Sequence, residues 1–229
     1  DRQIVLGIDT GLKLDYVLGD QSGIFKHGTA KDYDEFDKYM EKWPNLLAVV
    51  DAGGDLIGSR KFYEKWQGRV FLCHLISDRK TKELVRWSEG DEYGNCLVDR
   101  YRIIQQVVGE FAQRMIPVQG DEKYWSDYYQ HWRNLTRIKV VDPVTGETKG
   151  YKWVRSGPDH KAMATCFWRV GIDRYGFGGG AIVGGEEPES LLVTPDIEVG
   201  GGIKALSPVG KDLVEATLEH QRELYGDDY

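Results

Sequence analysis

The chain has 229 residues, of which 41% are hydrophobic, and its formal net charge is −7. This length can bury one full domain core, and no apolar stretch approaches the roughly 20 residues that span a bilayer, so we expect no membrane partner. The three cysteines are odd in number and form no C-x-x-C pair, which argues against a disulfide framework and against a zinc site.

The first third of the chain predicts an α/β fold with a mixed sheet. Apolar runs bounded by short turns predict five strands, at residues 3–9, 14–19, 23–29, 46–51 and 69–76. Apolar residues at helical spacing predict two helices, at residues 32–43 and about 56–66. Because strands alternate with helices after the opening meander, we expect helices to flank the sheet.

The middle of the chain predicts two short strands, two amphipathic helices, a hairpin and a final helix. Strands at 84–87 and 95–98 flank a polar loop, and apolar positions from Tyr101 to Met115 mark a long helix. The aromatic residues of a second helix, at 122–135, are more typical of a core than of a base-stacking surface. The segment RIKVVDPVTGETKGYKWVRS predicts an inserted β-hairpin, and the last helix starts at Asp159.

The composition changes after residue 175, where we expect the α/β domain to end. Residues 176–229 are rich in glycine and carry 3 Lys or Arg against 11 Asp or Glu, whereas residues 1–175 carry 27 against 26. One helix is predicted at about 211–225 in this acidic C-terminal appendage. A polyanion repels such a tail, so we expect the tail to dock on a protein partner, to shield the domain, or to act as a solubilising segment.

Two of the predicted strands end in a carboxylate followed by turn residues. IVLGIDTG places Asp9 at the end of the first strand, and LLAVVDAGGD places Asp51 at the end of the fourth. A crossover through a helix makes these strands parallel neighbours, so both residues should lie at the sheet edge where α/β folds bind ligands. Two close carboxylates repel each other unless a hard cation such as Mg²⁺ lies between them. The alternative is that each Asp caps a turn.

A site with two carboxylates needs a third oxygen ligand, for which Asp159 is the leading candidate. An Asp after Gly-Pro at a helix start is also a good N-cap, and the two roles can coexist. Asp142 is interpreted as a turn residue and Asp173 as a surface or helix-end residue, so both are weaker candidates. His160 either orients a ligand of this site or is simply exposed.

These motifs, taken in order, resemble a known family. GIDTG, VVDAGGD and GPDHKAM, with VDRYRIIQQVV as a long middle helix, resemble the ribonuclease H-like nuclease domain of bacteriophage terminase large subunits over about residues 3–175. The resemblance implies a ribonuclease H-like mixed sheet and an endonuclease that cuts double-stranded DNA during viral genome packaging. Many relatives carry further acidic residues along the third-motif helix, whereas His160 and Lys161 follow Asp159 here.

The resemblance and the needs of phosphodiester hydrolysis imply two divalent ions, Mg²⁺ or Mn²⁺, about 4 Å apart. We expect Asp9 to bridge them and Asp51 and Asp159 to complete the two sites, without a covalent nucleophile. Cutting of arbitrary sequence needs contacts to the phosphate backbone. The candidate basic residues are Lys80, Lys82, Arg86, Arg100 and, on the hairpin, Lys139, Lys149 and Lys152.

The resemblance also implies partners and a location. The expected partners are double-stranded DNA, an ATPase domain that precedes this one in the full-length chain, the portal and the small terminase subunit. Because the chain starts without a signal peptide or an initiator Met, we expect a fragment excised at a domain boundary. The unpaired cysteines indicate a reduced, intracellular protein, and the resemblance implies the cytoplasm of an infected host bacterium.

Two other function classes stay open. GIDTG and DAGGD also resemble the phosphate loops of actin-like and sugar-kinase ATPases, although such proteins need two comparable domains. A non-catalytic module that docks on DNA or on the portal is the other class. Binding of magnesium-ATP would identify the first class, and the absence of metal-dependent cleavage would identify the second.

Overall fold

A computed structural model of the chain describes residues 2–77, 83–88 and 94–176. Nine strands and five helices lie within these residues. In chain order they are β1 (Ile4–Thr10), β2 (Leu14–Asp20), β3 (Gly23–Ala30), α1 (Asp34–Lys42), β4 (Leu46–Asp51), α2 (Leu56–Lys65), β5 (Val70–Ile76), β6 (Val85–Trp87), β7 (Asn95–Asp99), α3 (Arg100–Ala112), α4 (Glu122–Arg133), β8 (Leu135–Val141), β9 (Thr148–Arg155) and α5 (His160–Arg174).

Seven strands form a central mixed sheet in the order β3-β2-β1-β4-β5-β7-β6. β1, β2 and β3 form an antiparallel meander, and β4, β5 and β7 continue from β1 in parallel. The edge strand β6 is antiparallel to β7. The predicted α/β class with a mixed sheet is confirmed, and the parallel pairing of β1 with β4 brings their carboxyl ends to one edge.

Both faces of the central sheet are covered by helices. Successive side chains of a strand point to opposite faces of the sheet. A strand with both faces buried therefore has a continuous run of apolar residues. From β1, Ile4, Leu6 and Ile8 enter a core that includes residues of α1 and α2. Val5 enters a second core, which includes residues of α3, α4 and α5.

Helix α5 lies directly on β1 at Gly7. A Cβ atom added at Gly7 would lie 2.0 Å from the carbonyl oxygen of Ala164 and 2.3 Å from the amide nitrogen of Trp168. Both distances are far below a van der Waals contact, so only glycine lets the backbone of α5 reach the strand. Because His160 lies about one helical turn before Ala164, this contact also positions the start of α5 at the edge of the sheet.

The second sheet is the predicted hairpin, formed by β8 and β9. Its turn is stabilised by Asp142, whose carboxylate accepts hydrogen bonds from the backbone N–H groups of Val144 and Thr145 at 2.7 and 3.1 Å. Asp142 is therefore a turn residue, as the sequence predicts.

Helices α3 and α4 end earlier than the sequence predicts. α3 ends at Ala112 and not at Met115, because the chain turns at Arg114, whose φ angle is 58°, and leaves Met115 exposed. The next helix, α4, ends at Arg133, since Leu135 already pairs with Arg155 in the hairpin.

Some predicted features lie outside the described residues. They are Lys80, Lys82 and the acidic tail from residue 177 onward, with its predicted helix. The domain boundary after residue 175 stays a prediction. In the part of the chain that the structure describes, no helix combines the length and the apolar character needed to cross a membrane.

Candidate active site

Asp9 and Asp51 are neighbours at the carboxyl edge of the central sheet. The parallel register pairs Ile8 with Val50, so the two aspartates follow at the next position of each strand. Asp9 is buried and Asp51 is partly buried. The prediction that β1 and β4 bring these two residues together is confirmed.

Thr10 joins the loops that follow the two strands. Its hydroxyl oxygen lies 3.1 Å from a carboxylate oxygen of Asp51 and accepts hydrogen bonds from the N–H groups of Gly54 and Asp55 at 3.1 and 3.2 Å. A Cβ atom at Gly54 would lie 2.1 Å from the carbonyl oxygen of Thr10, so the close approach of the loops requires glycine. The N–H of Gly53 donates to the other carboxylate oxygen of Asp51 at 3.0 Å, which fixes the orientation of that side chain.

The start of α5 brings two more side chains to this edge. His160 Nδ1 lies 2.7 Å from Asp9 Oδ2. Asp159 is buried at the N-cap position of α5, but its side chain makes no capping hydrogen bond. Its carboxylate instead contacts Arg100 at 3.4 Å and Arg155 at 3.7 Å. N-capping alone therefore does not explain an Asp at position 159.

The electrostatics of the site are dominated by the burial of Asp9. Burial raises the pKa of the Asp9 carboxyl to about 6, the hydrogen bond from His160 lowers it, and the nearby charges of Asp51 and Asp159 raise it. The hydrogen bond to Asp9 in turn raises the pKa of His160. Among the described residues, His160 is the one group that offers Asp9 a compensating positive charge, and a divalent cation would balance the remaining negative charge.

The carboxylates fit a hard cation by their chemistry, because carboxylate oxygens are the preferred ligands of Mg²⁺ and Mn²⁺. Within residues 2–77, 83–88 and 94–176, no three or more His, Cys, Asp or Glu side chains are arranged as a ready-made metal site. Completion of a metal site would therefore require movement of side chains. Asp159 would have to leave its contacts with two arginines to become a ligand.

Asp15 is a fourth carboxylate at this edge that the sequence analysis missed. It is the direct cross-strand partner of Asp9 in β2 and is buried, and its carboxylate accepts a hydrogen bond from the hydroxyl of Thr29 at 2.6 Å. The signal was present in the tight turn between β1 and β2: in an antiparallel hairpin, the residue opposite Asp9 shares its face of the sheet.

A polar cluster anchors the first turn of α5 behind the carboxylates. The buried ammonium of Lys161 pairs with Asp127 of α4, and the backbone N–H of Lys161 donates to His131 Nδ1 at 3.1 Å. Burial and the charge of Lys161 lower the pKa of His131, so this ring accepts the hydrogen bond in its neutral form. The cluster explains why Lys161 is buried, and it holds His160 at the site.

The predicted phosphate contacts lie in different places. Arg100 is beside Asp159, and Arg86 is exposed on the edge strand β6. On the hairpin, Lys139 and Lys149 are exposed, and Lys149 forms an ion pair with Asp142 at 2.5 Å. Lys152 pairs with Ile138 in the register and so points to the opposite face from Lys139, whose partner is Tyr151. Of the described candidates, only Arg100 contacts a carboxylate of the site.

No family model, curated protein or solved structure matches the chain. The function must therefore be inferred from the geometry and chemistry of the residues themselves. The strongest feature is the set of acidic side chains that β1, β2, β4 and the start of α5 bring to one edge of the sheet.

Proposed function

We propose that the chain is a metal-dependent endonuclease that cleaves double-stranded DNA with little sequence preference. The observation that carries the proposal is the placement of Asp9 and Asp51 side by side on parallel strands, with Asp159 at the adjoining start of α5. The raised pKa of Asp9, about 6, adds support, because burial and neighbouring carboxylates leave this group in need of a cation.

The topology is compatible with a ribonuclease H-like fold. An antiparallel meander is followed by parallel strands in the order β3-β2-β1-β4-β5, and the three acidic positions fall at the end of β1, at the end of β4 and at the start of a late helix. The motifs at these positions are the ones that resemble terminase nuclease domains. This resemblance supports a role in viral DNA packaging in the cytoplasm of a host bacterium, alongside an ATPase domain, the portal and the small terminase subunit.

Hydrolysis of a phosphodiester needs an activated water and compensation for the charge that develops on the phosphate. Two divalent ions, Mg²⁺ or Mn²⁺, would supply both when bound. In our proposal Asp9, held in place by His160, would be a ligand of both ions, and Asp51 and Asp159 would each be a ligand of one. Thr10 and Gly53 hold the Asp51 carboxylate in a fixed orientation, which lowers the entropy that ligand binding must remove.

The cysteines do not offer an alternative nucleophile. Cys73, Cys96 and Cys166 are all buried, and burial raises the pKa values of Cys73 and Cys166 above the usual range of a thiol. Because the thiolate is the nucleophilic form, thiols in this environment are inert near neutral pH. Direct attack by water is therefore the mechanism that these residues support best.

The test is a supercoiled-plasmid assay with the purified protein in Mg²⁺, in Mn²⁺ and in excess EDTA. We expect nicked and linear products with either ion, more with Mn²⁺, and none in EDTA. Asp51→Asn should abolish cleavage, whereas the control Asp173→Asn, which makes the same change of charge at the exposed far end of α5, should retain it. Cleavage that persists in EDTA would exclude the metal mechanism.

Two negative outcomes would redirect the assignment. Saturable binding of magnesium-ATP without DNA cleavage would favour the actin-like or sugar-kinase class. Tight DNA binding without cleavage in either metal would favour a docking module.

A further inference from the structure

Asp159 has different partners from the other carboxylates at the edge of the sheet. One of its oxygens lies 3.4 Å from a guanidinium nitrogen of Arg100, at the start of α3. Its other oxygen lies 3.7 Å from a guanidinium nitrogen of Arg155, at the end of β9. Two positive side chains from separate elements therefore converge on one buried negative charge.

The exposure of these three side chains is unequal. The side chain of Asp159 is 5% exposed, whereas those of Arg100 and Arg155 are 32% and 67% exposed. A large anion such as a DNA phosphate can therefore reach either arginine without reaching Asp159. In the absence of that anion, the arginines are the counter-charges that make burial of Asp159 tolerable.

Within the part of the chain that the structure describes, neither arginine is held strongly where it lies. Each guanidinium makes one long contact to the carboxylate, and neither makes the parallel pair of short hydrogen bonds that an ideal arginine–carboxylate pair forms. The fork of N–H donors matches a phosphate equally well, so the arginines can exchange one anionic partner for another at little cost.

We propose that Arg100 and Arg155 sequester Asp159 in the DNA-free protein and release it by moving to the DNA phosphates. This inference rests on the proposed nuclease function and adds substrate-dependent assembly of the metal site. Each charge keeps a partner throughout: the arginines pass from carboxylate to phosphate, and Asp159 passes from the arginines to the second divalent ion. Among the residues that the structure describes, no arginine contacts Asp9 or Asp51, so these two carboxylates remain able to hold the first ion without DNA.

This exchange makes DNA binding and binding of the second ion cooperative. By thermodynamic linkage, DNA should tighten binding of the ion by the same factor by which the ion tightens binding of DNA. The coupling would keep the nuclease incomplete until a duplex lies across the site.

The experiment counts Mn²⁺ ions bound by the DNA-free protein, by electron paramagnetic resonance of the free ion during a titration. We expect one tightly bound ion in the wild type and two in Arg100→Gln/Arg155→Gln, because removal of the arginines leaves Asp159 available. Asp159→Asn added to that double variant should return the count to one. The matched control is Lys139→Gln/Lys152→Gln, which removes the same charge from exposed hairpin positions and should keep the wild-type count.

Arg155→Gln alone, at an exposed position, replaces the double variant if circular dichroism shows that Arg100→Gln does not fold. Arg155→Gln should increase the affinity for the second ion by about tenfold, a typical size for such coupling. Two Mn²⁺ ions bound by the DNA-free wild type, or equal Mn²⁺ binding by the wild type and the arginine variants, would overturn the proposed exchange. Cleavage of plasmid by the wild type in such a case would leave the nuclease function standing, whereas the absence of both cleavage and ion binding would remove the function itself.

Discussion

Along β1, the side chains of Ile4, Leu6 and Ile8 pack beneath α1 and α2, while Val5, Gly7 and Asp9 face the side that α5 covers. The first set is entirely apolar. The second set contains a glycine, Gly7, and ends in the buried carboxylate of Asp9. Asp51 and Asp15 lie on the strands to either side.

One face of β1 therefore contributes to the stability of the fold, and the other face contributes to the candidate site. Apolar burial on the α1 and α2 face stabilises the fold in proportion to the area removed from water. On the α5 face, burial of Asp9 opposes folding whenever that group is ionised, because its pKa of about 6 lies above the ordinary value of 3.8. Substitutions on the α1 and α2 face should therefore lower stability, whereas substitutions on the α5 face should lower cleavage.

The largest expected effect is the loss of cleavage in Asp9→Asn. Removal of the carboxylate charge should remove several kcal/mol of transition-state stabilisation, which corresponds to about a thousandfold in rate. The plasmid assay measures this loss, with circular dichroism to show that the variant is folded. Cleavage within tenfold of the wild type would mean that the α5 face does not carry the chemistry.

The opposite pattern is expected for Leu6→Ala, next to Gly7 but on the other face. Leu6 is fully buried, and truncation of a buried leucine costs about 2–5 kcal/mol. Urea denaturation should show this loss, while the rate of cleavage per folded molecule stays at the wild-type level. A fall in that rate at temperatures where the variant is folded would show that the two faces are coupled.

A smaller effect is expected for His160→Gln, because His160 acts through Asp9. Loss of a residue that orients a metal ligand costs about 10–100-fold in metal affinity or activity. The loss should appear mainly as a higher Mn²⁺ concentration for half-maximal cleavage. In His160→Asn the side-chain amide can replace the Nδ1 donor, so this variant should recover part of the affinity. Equal losses in both variants would contradict a positioning role.

The smallest effect is a pH-dependent gain in stability in Asp9→Asn. Between pH 3.8 and about 6 the unfolded chain ionises before the folded chain, so Asp9 destabilises the metal-free wild type progressively as the pH rises. The hydrogen-bonded His160 stabilises the fold below its ordinary pKa of 6.5 and loses that contribution as the pH passes its raised value. Both trends make Asp9→Asn more stable than the wild type at high pH.

Urea denaturation in EDTA should therefore show Asp9→Asn more stable than the wild type by about 1–2 kcal/mol at pH 8.5, with no gain at pH 4. Addition of Mn²⁺ should raise the stability of the wild type relative to that of Asp9→Asn. A gain that does not depend on pH would place its cause elsewhere than in the ionisation of Asp9.

Much of this arrangement could be predicted from the sequence. The apolar run before Asp51 matches β4 residue for residue, because a buried parallel strand leaves a continuous hydrophobic signal that ends at a polar residue. The hairpin turn at Asp142 and the start of α5 next to Asp159 were also predictable, because turns and helix starts have local signatures.

Most of the rest depends on contacts between residues that are distant in the sequence. Asp15 was missed because its role as partner of Asp9 follows from the strand register and not from its neighbours in the chain. The contact of Arg100 with Asp159 spans 59 positions, and no periodicity reports it. The early end of α3 was missed because a turn at a non-glycine residue, Arg114, breaks a pattern that remains apolar beyond it.

Anomalous diffraction from crystals soaked in Mn²⁺ would show directly whether Asp9 and Asp51 together hold a divalent ion, as we propose. We expect an anomalous peak about 2.0–2.3 Å from carboxylate oxygens of both residues, within the range for hard cations. With a bound duplex, a second peak should lie beside Asp159. Peaks that lie away from both Asp9 and Asp51 at saturating Mn²⁺, or no peak in the presence or absence of DNA, would show that these two carboxylates do not hold the ion.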